Sequence, residues 1–193
     1  MRLFVALHPS PAALAELDAA VTPLRGDWPE LRWTGPDRWH VTLAFLGEVA
    51  EAKLDELAVR LARAAGRHEP AELWIGHGGA FPSKTRARVL IARIEGDQPA
   101  LTALAALAGS VAAGARRAGA PPPDEGRRYR PHLTLARCRQ PTDISAIVES
   151  LGGFAGSAWL ADEMQLIRSH AGPKPWYEVL ESWPLGRRAG EDL

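Results

Sequence analysis

His40 and Thr42 stand two residues apart in the run His40-Val41-Thr42-Leu43-Ala44. The chain writes the run again as His132-Leu133-Thr134-Leu135-Ala136, 92 residues later in a length of 193. One H-x-T-L is weak evidence of anything. Two copies with the same following alanine, one in each half, imply a duplicated unit with two matching active-site edges.

The chemistry follows from the residue types. Imidazole titrates close to neutral pH, so one histidine can act as neutral base while the other acts as protonated acid. In-line displacement at a phosphodiester needs such a pair on opposite sides of phosphorus. One ring takes the proton of the attacking water and the other protonates the leaving oxygen. Threonine hydroxyls can donate to the non-bridging oxygens, where charge is held through the transition state. A metal centre is the competing chemistry of two histidines. It needs further ligands at sensible spacing, and His8, His68, His77 and His170 show no partner pattern. The reading is therefore metal-free and cofactor-free.

Strands must position these side chains. Val, Thr, Leu and Phe favour extended backbone, and residues i and i+2 of a strand share a face. His40 and Thr42 then face a cleft while Val41 and Leu43 face a core, and His132/Thr134 repeat the arrangement against Leu133/Leu135. Around them the periodicity predicts a strand over 2–7 and a helix after Ser10-Pro11 carrying Leu14, Leu17, Val21 and Leu24. A short strand at Leu31–Trp33 precedes the first motif, and Gly47 ends the motif strand. A second helix carries Leu54, Leu57, Ala58 and Leu61 to a stop at Gly66. Strands follow at Leu73–Ile75 and Val89–Ile94, with Gly76 to Arg88 read as a loop carrying Lys84, Arg86 and Arg88. A third helix runs from Leu101 to about Arg117, and proline-rich 118–126 is an extended loop. Ile144, Ile147, Val148 and Leu151 mark a fourth helix capped by Thr142 or Asp143. Strands at Met164–Arg168 and Trp176–Leu180 close the fold, and 187–193 is a loose tail. This order alone permits a parallel α/β sheet or an α+β fold. The duplication favours two antiparallel-sheet lobes flanked by helices around a central cleft, one bilobal α+β domain over 1–193.

The paired motifs resemble those of the 2H phosphoesterase superfamily, and within it the RNA 2′,3′-cyclic phosphodiesterases, also called 2′-5′ RNA ligase-like proteins. Met1-Arg2-Leu3-Phe4-Val5-Ala6-Leu7 is similar to that family's opening strand, and Trp39 through Gly47 to its first motif. Gly79-Ala80-Phe81-Pro82 is similar to its central G-x-F-P, and Tyr129 through Arg137 to its second motif. The resemblance covers most of 1–180. It implies the same bilobal architecture and hydrolysis of RNA 2′,3′-cyclic phosphate ends to 2′-phosphomonoesters, with His132 as general base and His40 as general acid to the 3′ oxygen. The pseudo-symmetric spacing alone does not orient the pair. Run backwards, the same groups give 2′-5′ ligation. The implied partner is an RNA bearing a cyclic phosphate end, of tRNA or other origin. The rival readings are a phosphodiesterase for small cyclic nucleotides or nucleotide-sugar cyclic phosphates, and a non-catalytic module that binds nucleotide or RNA ends.

Four further residues are substrate-binding candidates. Arg130 has the parity of His132. Arg137 has the parity of Leu133 and Leu135, so strict alternation sends it to the core face unless a bulge or strand end turns it back; the resemblance implies a substrate-side role. Phe81 and Tyr177 are candidate base platforms, chosen because the family places similar residues nearby. Trp39 is read as core, His170 as an incidental loop residue, and Arg127 and Arg128 as a solvated face near an RNA backbone. Cys138 has no local base and is not read as a nucleophile.

Composition sets the outer bounds. Hydrophobic residues are 46%, charged residues 24%, and the formal net charge is zero. A general nucleic-acid coating protein is thereby disfavoured, and any RNA contact must come from a local basic cleft. The single cysteine excludes an intrachain disulfide. The apolar run Leu3–Leu7 is too short for a signal-peptide core, and no run is read as a membrane span. A cytoplasmic monomer is the expectation.

Overall fold

Ser10 opens the first helix: its hydroxyl accepts the Ala13 N–H at 3.2 Å, and Pro11 occupies the first turn, where a missing N–H costs nothing. The computed structural model describes residues 1–123, 128–172 and 175–186. Arg127 and the tail at 187–193 lie outside the described residues. In chain order the elements are β1 (Arg2–Leu7), α1 (Pro11–Asp27), β2 (Arg32–Trp33), β3 (Val41–Glu48), α2 (Leu54–Ala65), β4 (Ala71–Phe81), β5 (Ala87–Glu95) and α3 (Gln98–Arg117). They continue with β6 (His132–Thr142), α4 (Ser145–Ser150), β7 (Trp159–Ala161), β8 (Glu163–His170) and β9 (Trp176–Pro184). Short 3₁₀ turns occupy Pro36–Arg38, Glu51–Lys53 and Lys84–Arg86.

The strands form two sheets, ordered β3-β1-β8-β9 and β2-β6-β5-β4-β7. Every pairing is antiparallel. With helices packed on them this is the two-sheet α+β fold that the duplication favours. Each motif strand lies in a different sheet. Leu3, Val5, Leu7, Val41 and Leu43 of the first sheet share one buried cluster with Leu90, Ala92, Leu133 and Leu135 of the second. Phe4, Ala6 and Ile167 form a separate small cluster with Tyr177 against it. β1 is therefore buried on both faces, which is why it reads as an unbroken apolar run.

The helices follow their caps. Asp97 accepts the Ala100 N–H at 2.7 Å at the start of α3, and the Asp143 carboxylate accepts the Ser145 N–H at 2.9 Å at the start of α4. α2 begins with Asp55 and Glu56, ends near Arg63, and buries Leu57, Leu61, Ala64 and Ala65.

Three sequence expectations need correction. The stretch 76–81, expected in a loop, is strand. Its glycines are required by contact: a Cβ at Gly78 would lie 2.7 Å from the Leu151 side chain, and one at Gly79 would lie 3.3 Å from Ile91. Glycine there is a packing residue rather than a turn signal. His170 ends β8 rather than sitting in a loop; it stacks on Trp176 at 3.9 Å and bonds Glu178 at 2.7 Å. Finally, α3 is long and apolar enough to cross a membrane. Here its Leu104, Leu107, Val111 and Ala115 are buried within the fold. One face of the helix packs in the fold while the other lies outside the core, and its length and composition are those of a membrane span.

Candidate active site

Each motif strand breaks its alternation at the same place. In β3, Val5 faces Ala44 and Ala6 faces Thr42, so Leu43 is the extra residue of a β-bulge. In β6, Leu90 faces Ala136 and Ile91 faces Thr134, so Leu135 is extra. Leu43/Ala44 and Leu135/Ala136 are consequently buried as consecutive pairs, and the residues after them emerge on the cleft side. In β6 that residue is Arg137, whose charge acts on His132. In β3 it is Phe45, 48% exposed, with its ring 6.0 Å from Phe4. The bulge thus overrides the parity that would have sent Arg137 into the core.

The approach to each histidine is also repeated. Pro36–Arg38 forms a 3₁₀ turn that delivers Trp39 into the core at 1% exposure and leaves His40 at the strand entrance. Arg130-Pro131 leads into His132. There the His132 Nδ1 lies 2.6 Å from the Arg130 carbonyl. A carbonyl only accepts, so Nδ1 carries the hydrogen and Nε2 keeps its lone pair. The equivalent Arg38 carbonyl lies near His40 and favours a protonated ring, yet His40 Nδ1 has no partner of hydrogen-bond geometry and is buried. Tyr129 ties the two halves together, donating its hydroxyl to the Thr42 carbonyl at 3.1 Å. Burial pushes that phenol up.

The surroundings of the two rings differ. His40 lies 4.6 Å from the Phe4 ring and 5.3 Å, edge to face, from Tyr177. His132 meets Phe81 edge to face at 5.0 Å, and the Arg130 guanidinium lies 5.9 Å from the Phe81 centroid. Thr42, Phe81, Arg130 and His132 line one open cavity of about 760 Å³, together with Phe45, Tyr129 and the α3 residues Ala105 and Gly109. His40, Tyr177, Thr134 and Arg137 are not among that cavity's lining residues; His40 pairs with Tyr177 and feels the charge of His132, and Thr134 and Arg137 follow His132 along β6. Arg128 lies exposed at the cavity rim. Sequence reasoning missed Phe45, Phe4 and His8, whose ring is 6.2 Å from His40. Phe45 was within reach: it sits five residues after His40, as Arg137 does after His132. Cys138 is half-buried, with its thiol pushed up by burial. Among the described residues no group of three or more His, Cys, Asp or Glu could hold a metal ion.

Both imidazoles favour the neutral form. Burial lowers His40 to about 4, helped by the charges of His8 and His132 and opposed by the Arg38 carbonyl. Burial also lowers His132, with the Arg130 carbonyl opposing and Arg137 assisting. The stability consequence has a definite sign. Above the ordinary histidine value of 6.5 both states hold neutral rings. As pH falls from there towards 4 the unfolded chain binds protons that the folded protein refuses, so stability declines. For a ring with some solvent contact the His40 share is about 2 kcal/mol between pH values of about 7 and 4.5. Urea unfolding of wild type and His40→Phe across that range checks it. The variant, whose ring suits its aromatic neighbours, should show the flatter curve; parallel curves would contradict the assignment.

Comparisons with known proteins bear on the family and the fold. A family model described as the 2′-5′ RNA ligase superfamily matches residues 16–173. A Thermus thermophilus protein named RNA 2′,3′-cyclic phosphodiesterase is 30% identical over 200 residues, covering 100% of this chain and 94% of its own length. A relative of the same name from Methanothermobacter thermautotrophicus is 27% identical over 160 residues, covering 81% of this chain and 83% of its own. Among solved structures, one of a Thermus thermophilus protein superposes with a TM-score of 0.76 at 29% identity, covering 98% of this chain and 100% of that one. Apo Escherichia coli LigT has the same fold, with a TM-score of 0.71 at 23% identity over 96% of this chain and 98% of its own.

Proposed function

The chain belongs to the 2′-5′ RNA ligase superfamily, and on that premise we propose that it hydrolyses RNA 2′,3′-cyclic phosphate ends to 2′-phosphomonoesters by paired imidazole catalysis without a metal. Five relatives that carry the name RNA 2′,3′-cyclic phosphodiesterase, 27–30% identical over most of the chain, support the activity. The observation that carries the mechanism is the His132 tautomer. With Nδ1–H donated to the Arg130 carbonyl, Nε2 has its lone pair available for a proton.

His132 Nε2 takes a proton from water as the water oxygen bonds to phosphorus. The bond from phosphorus to O3′ breaks, and His40 gives its proton to that oxygen. The turnover leaves His132 protonated and His40 neutral, and solvent exchange restores both. His40 is neutral in the free protein near pH 7, being lowered to about 4. The bound phosphodiester supplies the opposite charge that favours its protonated form. Thr42 and Thr134 donate to the non-bridging oxygens, and Arg137 adds a guanidinium to the same developing charge. With a 5′ hydroxyl in place of water the same sequence forms the bond from phosphorus to O5′ as the bond to O3′ breaks, which is 2′-5′ ligation; bulk water favours hydrolysis.

The test uses a short RNA ending in a 2′,3′-cyclic phosphate, incubated with the protein in EDTA, with products separated by phosphate position. Accumulation of the 2′-phosphate at a rate unaffected by the chelator is the expected result. Turnover only with added divalent metal would exclude the two-histidine mechanism. No turnover in either condition would replace hydrolysis by end-binding without chemistry.

A further inference from the structure

Beside each motif histidine stands a cross-strand neighbour that the proposed chemistry does not use. The pairings Ala6/Thr42 and Ile91/Thr134 make β1 and β5 equivalent partners of the two motif strands. Two residues beyond Ala6 is His8, next to His40; two beyond Ile91 is Arg93, which pairs directly with His132. One catalytic candidate therefore has an imidazole neighbour and the other a guanidinium.

Arg93 is exposed and lies on the face of Ile91 and Val89, opposite the core residues Leu90, Ala92 and Ile94. Its Nε lies 3.4 Å from where a Cβ on Gly79 would be. Glycine at 79 thus leaves the space through which the arginine stem crosses β4, on the side that carries Phe81. No acid holds it among the described residues. Glu95, on the same face, is engaged by His77 Nδ1 at 2.6 Å and Trp74 Nε1 at 3.2 Å. Arg130 lies over Phe81, and Arg137 pairs with Val89, four residues along β5. At strand rise that is about 13 Å from Arg93. A cyclic phosphodiester has one negative charge at one phosphorus, and two guanidinium groups with bases that far apart fit two anions better than one. The residues Phe4, Ala6, Ile167 and Tyr177 of the other sheet are uncharged, so a run of phosphates finds its cations along β5, β6 and the segment that carries Arg128 and Arg130 into β6.

We propose that Arg93 receives a second substrate phosphate, the one attached to the 5′ oxygen of the nucleotide that bears the cyclic phosphate, and so makes the site select polynucleotide ends over bare nucleoside cyclic phosphates. This rests on the hydrolase reading above. It turns that reading into a substrate preference set by one residue outside both motifs.

Two small substrates isolate the contact: adenosine 2′,3′-cyclic phosphate with a 5′ hydroxyl, and the same compound with a 5′ phosphate. The wild type should favour the phosphorylated compound in kcat/KM, through KM. Arg93→Gln should shrink that preference by about tenfold, the size of a lost charge-assisted hydrogen bond, and Arg93→Lys should keep most of it. An unchanged ratio in Arg93→Gln would overturn the proposal. So would equal losses on both substrates, which would place Arg93 on the cyclic phosphate itself. A wild type that hydrolyses neither compound nor a cyclic-phosphate RNA would end the hydrolase reading and this proposal with it. One that hydrolyses the RNA but ignores the 5′ phosphate would end this proposal alone.

Discussion

His132→Ala should lower kcat/KM on a cyclic-phosphate RNA by about 10³- to 10⁴-fold, the upper range for a removed general base. The ring is held on one side by the Arg130 carbonyl and flanked on another by Phe81. Alanine therefore removes a positioned lone pair and leaves the walls of the site in place. His40→Ala should lose a similar factor because the 3′ oxygen then leaves without a proton. The double variant should be little worse than either single one, since the two rings act in one concerted step. Steady-state kinetics on wild type, both singles and the double read this directly. Losses that multiply would mean the histidines serve separate steps. Retention of activity within tenfold in His132→Ala would remove it from the chemistry. Circular dichroism on the same preparations separates lost chemistry from lost structure.

Trp39→Ala should cost about 3–5 kcal/mol of folding stability, as large-to-small substitutions at buried aromatic sites do. The side chain is 1% exposed, with the Arg25 guanidinium 5.8 Å from its ring. Its indole N–H is buried without a partner, so a ring lacking that group loses packing but no hydrogen bond. Trp39→Phe, which leaves a smaller cavity, should accordingly cost less than Trp39→Ala. Urea titrations of the three proteins give the comparison, and an alanine variant within about 1 kcal/mol of wild type, on the order of ordinary surface changes, would refute it. The position matters beyond stability because the residue that follows is His40. A cavity under Trp39 loosens the turn that sets the imidazole at the strand entrance.

The motif strands were legible because period-2 alternation of His/Thr against Val/Leu is a local signal, and it holds through Leu43 and Leu135. It fails at the next residue in both halves. A bulge is decided by the partner strand, and neither β1 nor β5 announces in its own residues that it will face two positions with one. That is why Arg137 has the wrong parity in the sequence and the correct one in the fold. The helices were legible to within a few residues from Ser10-Pro11, Gly66 and Asp143, which are local stop and start signals. β4 was cut short because Gly76, Gly78 and Gly79 read as turn residues; the side chains that demand glycine there, Glu95, Leu151 and Ile91, are distant in sequence. Arg93 and His8 were invisible as site residues for the same reason. Their importance comes from register across a ladder, and no spacing within one strand encodes it.

The strand order has a consequence for how the chain must be made. The second sheet draws its strands from residues 32–161, so all of its hydrogen-bonding partners exist before β8 is translated. The first sheet cannot close then, because β1 sits between β3 and β8, and Leu3 waits for Arg168. On a ribosome adding about 5–20 residues per second, the nascent N-terminal strand keeps one bare edge for several seconds, apolar on both faces. Until β8 emerges, β1 presents an unpaired edge of the kind that pairs with other chains. The late arrival of β8 and β9 also brings Tyr177 to His40, so the nascent chain holds the His132 wall before it holds a complete cleft.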